Sequence, residues 1–237
     1  MPRITIMEAG LVSPELRERH GSYPQMFERM IRAVDESIDF DVVEIAAGEP
    51  VPDATGLEAI LITGSSAGVH ERLVWIPPLE VLVRAAYVRK VPMVGVCFGH
   101  QLIAQALGGI VRKSENGWGI GRHVYQVASG NGLIESRHLA VACSHQDQVV
   151  EAPQEARTIL LSDFTPHAGL LYANGRTLSV QPHPEFDAEY ATALCEAREG
   201  TVPDVVVAAA KESLAKPLDS ATLGGVIARF LTGGTAL

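Results

Sequence analysis

Cysteine is scarce in this sequence. Three residues, Cys97, Cys143 and Cys195, are spread over 237. An odd and sparse set does not build a disulfide framework and suits a reducing compartment. The 8 histidines form no H-E-x-x-H spacing and the cysteines no C-x-x-C, so no metal and no other cofactor is expected. Positive charge is also in short supply. The 19 Lys and Arg against 28 Asp and Glu leave a net charge of -9, which argues against a general nucleic-acid surface. No apolar run reaches membrane-spanning length, and the opening "MPRITIMEAG" is too short and too charged to be a signal peptide. The expectation is a cytoplasmic chain with neither nucleic-acid nor membrane partners.

What is present is an ordinary globular balance, 47% hydrophobic and 20% charged residues. A chain of this length can bury a sizeable core, and with no repeat or low-complexity linker the simplest organisation is one domain over residues 1–237. "RITIM", "FDVVEI", "AILIT" and the run from Val91 to Val96 read as strands. "YPQMFERMIRAVD" and "IPPLEVLVRAAYVRK" carry helical stripes, the second with Pro77 and Pro78 near its start. Strand and helix alternate through the first half, which predicts a parallel sheet with helices on both faces. "GRHVYQV", "LAVACS", "ARTILLS", "AGLLYA" and "TLSVQ" then predict an antiparallel extension or the far edge of that sheet. The chain closes with helical patterns in "DAEYATALCEARE" and "ATLGGVIARFL".

Within "VPMVGVCFGHQLIAQALGG", Cys97 stands where the buried strand gives way to a helix. Gly95 and Gly99 flank it two residues away on each side. This is the pattern of a nucleophile on a strained elbow, exposed at the carboxyl edge of a sheet. A helix N-terminus favours thiolate, and the N–H of Phe98 would face a developing oxyanion. A cysteine nucleophile needs a base, and the base an orienting group. "SVQPHPEF" offers both: the prolines bias His183 toward extended backbone, where residues two apart share a face, which sets Glu185 beside it. A third strand end, "LITGSSAGVH", turns at Gly64 and Ser65 and offers a second N–H donor. Each feature alone also reads as packing, a loop or a plain turn. Cys143 and Cys195 read as packing residues, and His100 as a surface or hydrogen-bonded histidine.

Together "GVCFGHQ", "QPHPEF", "TGSSAG" and "SHQDQV" resemble the class I, triad-type glutamine amidotransferases. The nearest branch is similar to the glutaminase domain of GMP synthase and its stand-alone relatives. The resemblance implies a flavodoxin-like α/β fold, mostly parallel, with added antiparallel strands. It implies that Cys97 attacks the side-chain amide of glutamine, that His183 is the base and that Glu185 orients it. The N–H groups of Phe98 and of Ser65 or Gly64 would form the oxyanion hole. Gln101 would help hold the substrate, with Ser144, His145, Gln146 and Asp147 gripping its α-amino and carboxylate groups. Two departures stand out. The turn reads "GSS" where the family often has Gly-Gly-Pro, and no S-G-G-x-D-S pyrophosphatase segment follows. The ammonia would therefore go to a separate synthetase or acceptor protein. The alternative is a stand-alone γ-glutamyl peptidase using the same triad, since the thioester does not record which amine left. A non-catalytic binding module on this fold is a third reading, which intact Cys97, His183 and Glu185 argue against.

Overall fold

A computed structural model describes residues 3–233. The expected span 1–237 extends past them at residues 1–2 and 234–237, which lie outside the described residues. The first half alternates as the apolar pattern predicts. Helices α1 (Pro14–His20) and α2 (Tyr23–Arg32) lie between strands β1 (Arg3–Met7) and β2 (Asp39–Val43), and α3 (Ile76–Arg89) between β3 (Ala59–Ile62) and β4 (Met93–Val96), whereas β2 and β3 are joined without an α-helix. Helix α2 begins where a capping box fixes it: Ser22 Oγ accepts from the Gln25 N–H, and the Gln25 side chain accepts from the Ser22 N–H. It ends at Arg32, short of Asp35, whose carboxylate instead accepts from the Ser37 N–H. Helix α3 ends at Arg89, with Lys90 in the left-handed region.

Helix α4 (Phe98–Ala106) follows β4 directly. The middle of the chain adds β5 (Ile110–Lys113), β6 (Gly119–Val127), β7 (His138–His145), β8 (Asp147–Glu151), β9 (Ala156–Leu161), β10 (Gly169–Tyr172) and β11 (Thr177–Val180). Helices α5 (Ala188–Glu196), α6 (Asp204–Leu214) and α7 (Ser220–Leu231) complete it. Nine strands form one sheet in the order β2-β1-β3-β4-β11-β10-β9-β6-β7. The segment from β2 to β11 is parallel and the rest antiparallel, so both halves of the expectation hold in a single sheet. Strands β5 and β8 pair separately as an antiparallel ribbon.

The fully buried strands of the parallel half explain the continuous apolar runs: β3 and β4 expose nothing on either face. One face carries α2 and α7 over Ile4, Ile6, Val94 and Val96, and the other carries α3 and α4 over Met7, Ile60, Ile62 and Met93. A third cluster, built on Phe186, Tyr190 and Val207, joins α5 and α6 to the antiparallel end. Strand β11 lies in register beside β4, with Val180 opposite Val96. This register carries the segments after both strands out of the same edge of the sheet, side by side.

Candidate active site

Cys97 is the hinge residue between β4 and α4, and its backbone takes φ 53° and ψ -103°. Only Cys97 and Lys90 among the described non-glycine residues hold a positive φ. Such a conformation costs on the order of 1–3 kcal/mol and persists only where the surroundings impose it. Here the flanking glycines permit it. A Cβ on Gly95 would stand 2.4 Å from the Gly99 carbonyl group, and one on Gly99 would stand 2.4 Å from the Ile62 carbonyl oxygen. The bend therefore closes only if both positions lack a side chain. The Cys97 N–H is held by the Val180 carbonyl at 2.9 Å and the Gly99 N–H by the Thr63 carbonyl at 3.2 Å. The Phe98 N–H lies in the first turn of α4, where an N–H has no intrahelical acceptor.

His183 follows β11. Its N–H donates to the Ala142 carbonyl at 2.8 Å, and its Nδ1 lies 2.7 Å from Glu185 Oε1, both side chains being buried. The route differs from the extended segment expected. The chain closes a turn in which the Phe186 N–H donates to the His183 carbonyl at 3.3 Å, with Pro184 at the second position, where its fixed φ fits. Glu185 reaches the ring from that turn. Phe186 lies flat on the imidazole, 4.0 Å between centroids and 6° between planes. On its edge the ring meets Gly64, where a Cβ would stand 3.0 Å from His183 Cε1 and 3.7 Å from Cys97 Cβ. Burial pushes the His183 pKa down, but the Glu185 carboxylate and then the Cys97 sulfur outweigh it, and the ring is raised to about 10. Sulfur, imidazole and carboxylate thus meet where β4 and β11 end.

The other expected residues cluster around them. Ser65, Cys97, Gln101, Ser144, His145, Gln146 and Asp147 line one cavity of about 210 Å³. Cys97 Sγ lies 4.0 Å from the Ser144 carbonyl. Gln101 is fully engaged on its nitrogen, donating to the Asp147 carbonyl at 2.8 Å and to Gln181 Oε1 at 3.2 Å. Its carbonyl oxygen remains as an acceptor. His145 Nδ1 also meets the Asp147 carbonyl, at 3.1 Å, so that nitrogen carries the proton. Burial lowers the His145 pKa to about 3. The Gln146 carbonyl accepts from the Ser114 N–H at 2.8 Å. Within this segment, then, the carbonyls of Gln146 and Asp147 serve the scaffold.

His100 is fully buried and bonds Ser179 Oγ at 2.7 Å, so it is a hydrogen-bonded histidine rather than a surface one. Cys143 and Cys195 are buried and free, and burial pushes both thiols up. Among the described residues no cluster of three or more His, Cys, Asp or Glu could hold a metal ion. No described helix is long and apolar enough to cross a membrane. Sequence reasoning missed Arg198, Trp118 and His70, which also line the cavity. Trp118 lies inside "KSENGWGIG", but no spacing rule flags Arg198, which follows α5 as one charged residue among several.

These features define a class: α/β proteins that raise a cysteine on a strand-to-helix elbow, next to a histidine–carboxylate pair. The family described as glutamine amidotransferase class-I matches residues 16–195, and the chain belongs to this family of enzymes. Similar proteins include gamma-glutamyl peptidase 2 of Arabidopsis thaliana, 27% identical over 79% of this chain and 77% of its own length. A subunit of the glutamine-hydrolyzing GMP synthase of Saccharolobus solfataricus is 28% identical over 69% of this chain and 86% of its own. Among solved structures, a glutamine amidotransferase from Thermotoga maritima superposes with a TM-score of 0.74 at 20% identity, covering 97% of this chain and 98% of that one. That likeness bears on the fold, which is flavodoxin-like.

Proposed function

We propose that the protein hydrolyses γ-glutamyl amides through a thioester on Cys97, glutamine being the smallest substrate. The observation that carries the reading is the buried Nδ1–Oε1 contact of 2.7 Å between His183 and Glu185, beside a cysteine held on a strained elbow. Glu185 fixes the imidazole with Nδ1 protonated and leaves Nε2 for the sulfur and the leaving amine. The Cys97 thiolate attacks the amide carbon. The carbonyl oxygen becomes an oxyanion facing the Phe98 N–H and the N–H of Ser65 or Gly64. The C–N bond breaks as His183 gives its proton to the departing nitrogen. Water then adds to the thioester with His183 as base, releasing glutamate and restoring the thiol. The Gln101 carbonyl oxygen faces the substrate ammonium, and the segment from Ser144 to Asp147 holds its α-groups.

In this reading the chain works as one catalytic domain, and ammonia released from glutamine passes to a separate synthetase protein. The similarity to part of a GMP synthase supports that assignment, and the similarity to a γ-glutamyl peptidase supports a larger leaving amine. Incubation with glutamine and with γ-glutamyl peptides, followed by detection of released ammonia or amine, tests the chemistry. Mass spectrometry of the quenched protein should find a glutamyl adduct on Cys97. Cys97→Ala should lower turnover by several powers of ten. Turnover that survives the substitution would refute the proposal.

A further inference from the structure

Arg198 is an unusual cation for this molecule. Its Nε donates to Ser144 Oγ at 3.0 Å, and its guanidinium carbon lies 4.2 Å from the centroid of the Trp118 ring. Ser144, Trp118 and Arg198 share the cavity wall with Cys97. Burial disfavours the Arg198 charge, yet among the described residues no carboxylate forms an ion pair with it. A half-buried charge without a counter-charge is costly unless something else supplies one. Ser144 and Trp118 fix the plane of the group, and the two terminal nitrogens are left as donors, a fork that matches a carboxylate.

The position along β7 says which part of a substrate meets that fork. The Ala142 carbonyl holds the base His183, the Ser144 carbonyl faces the sulfur, and the Asp147 carbonyl holds Gln101. Arg198 is tied to Ser144 and lies within electrostatic reach of Tyr23 and Tyr190, whose rings pack on Phe186 against His183. It therefore stands in the cavity beside the sulfur, next to the rings that back the base, where the leaving amine is protonated. Lys113 adds a second cation to the same cavity.

We propose that Arg198, braced by Trp118 and Ser144, binds a carboxylate carried by the leaving amine, so that γ-glutamyl amino acids and peptides are preferred to glutamine. This rests on the hydrolysis proposed above and names its substrate class. The test compares γ-glutamylglycine with γ-glutamylglycinamide, which differ only in that carboxylate, in the wild-type protein and in Arg198→Gln. Wild type should favour the acid at least tenfold in kcat/KM. The ratio of the two should fall roughly 10- to 100-fold in the variant, the loss of one charge-assisted contact. Arg198→Lys, which keeps the charge but not the fork, should fall between. A wild-type ratio near one overturns the assignment without any variant. So does an Arg198→Gln protein that slows both substrates equally, which would place the guanidinium on the glutamyl half. A wild-type protein that cleaves neither compound nor glutamine defeats the hydrolysis itself, and the subsite with it.

Discussion

The elbow makes a demand that one methyl group can test. In Gly99→Ala the new Cβ would stand 2.4 Å from the Ile62 carbonyl oxygen and 3.0 Å from the Ile62 carbonyl carbon and Cβ. Ordinary contact begins at 3.4 Å, and the nearest atoms are backbone at the end of β3, so no flexible side chain can yield. The start of α4 must move by about 1 Å or the strand must. Overpacking of this kind costs about 1–3 kcal/mol, and the backbone-on-backbone clash puts this site at the upper end. For a chain of this size that lowers Tm by roughly 6–12 °C. The same displacement carries Cys97 and the Phe98 N–H away from His183, and a 1 Å misplacement can cost about 100-fold in rate. The effect should fall mainly on kcat. Thermal unfolding and steady-state kinetics measure both. Gly225→Ala is the control. It lies in α7, where the added Cβ meets only the flexible tip of Arg229 at 3.3 Å, and helix propensity there favours alanine by about 0.5–1 kcal/mol. A Gly99→Ala protein with Tm within about 2 °C of wild type and kcat within about threefold would refute the account of the elbow.

Two further outcomes concern pH. His100 and His145 are held neutral by burial, each with its pKa lowered to about 3. The unfolded chain takes up protons at these positions below its ordinary value of 6.5, so their stabilising share is present above that pH and is lost as pH falls. Each costs on the order of 2 kcal/mol by pH 5. Urea unfolding at pH 7 and pH 5 should show the loss, His100→Gln should recover about its own part, and an identical loss in the variant would contradict the reasoning. His183 has the opposite sign. Its raised pKa gives stability that is complete below 6.5 and disappears as pH rises through about 10. Glu185→Gln removes the charge that outweighs burial, so NMR titration should find the His183 ring lowered by at least about one unit, and an unmoved titration would show that Glu185 does not set it.

Much of this architecture was readable from periodicity alone. "RITIM", "AILIT" and "TLSVQ" are largely buried runs, and they became β1, β3 and β11 within a residue. Helix α1 gave no signal because none of its residues is buried, so it has no apolar stripe. Strand β5 is half-exposed, and it pairs with β8 away from the main sheet. Helix α6 opens with three consecutive valines after its first residue, which read against helix before its contact with β6 decides the matter. The grouping of the candidate site was legible in part. Cys97, His183 and Glu185 each carry a local backbone signature of glycine or proline. Arg198 and Trp118 carry none, because their pairing is made only when α5 folds back beside β6 and β7.

Strands β4 and β11 are neighbours in one ladder, with Val96 opposite Val180. The gap that sulfur and imidazole must bridge is therefore inherited from the rung spacing of a sheet, about 4.8 Å. Between α4 and β11, Ala142, whose carbonyl holds His183, and the segment from Ser144 to Asp147 beside the sulfur and Gln101 are tied to the site. The rest of that excursion does not set the gap and can lengthen, shrink or change its lining, which makes it the natural ground on which descendants of this scaffold acquire new substrates.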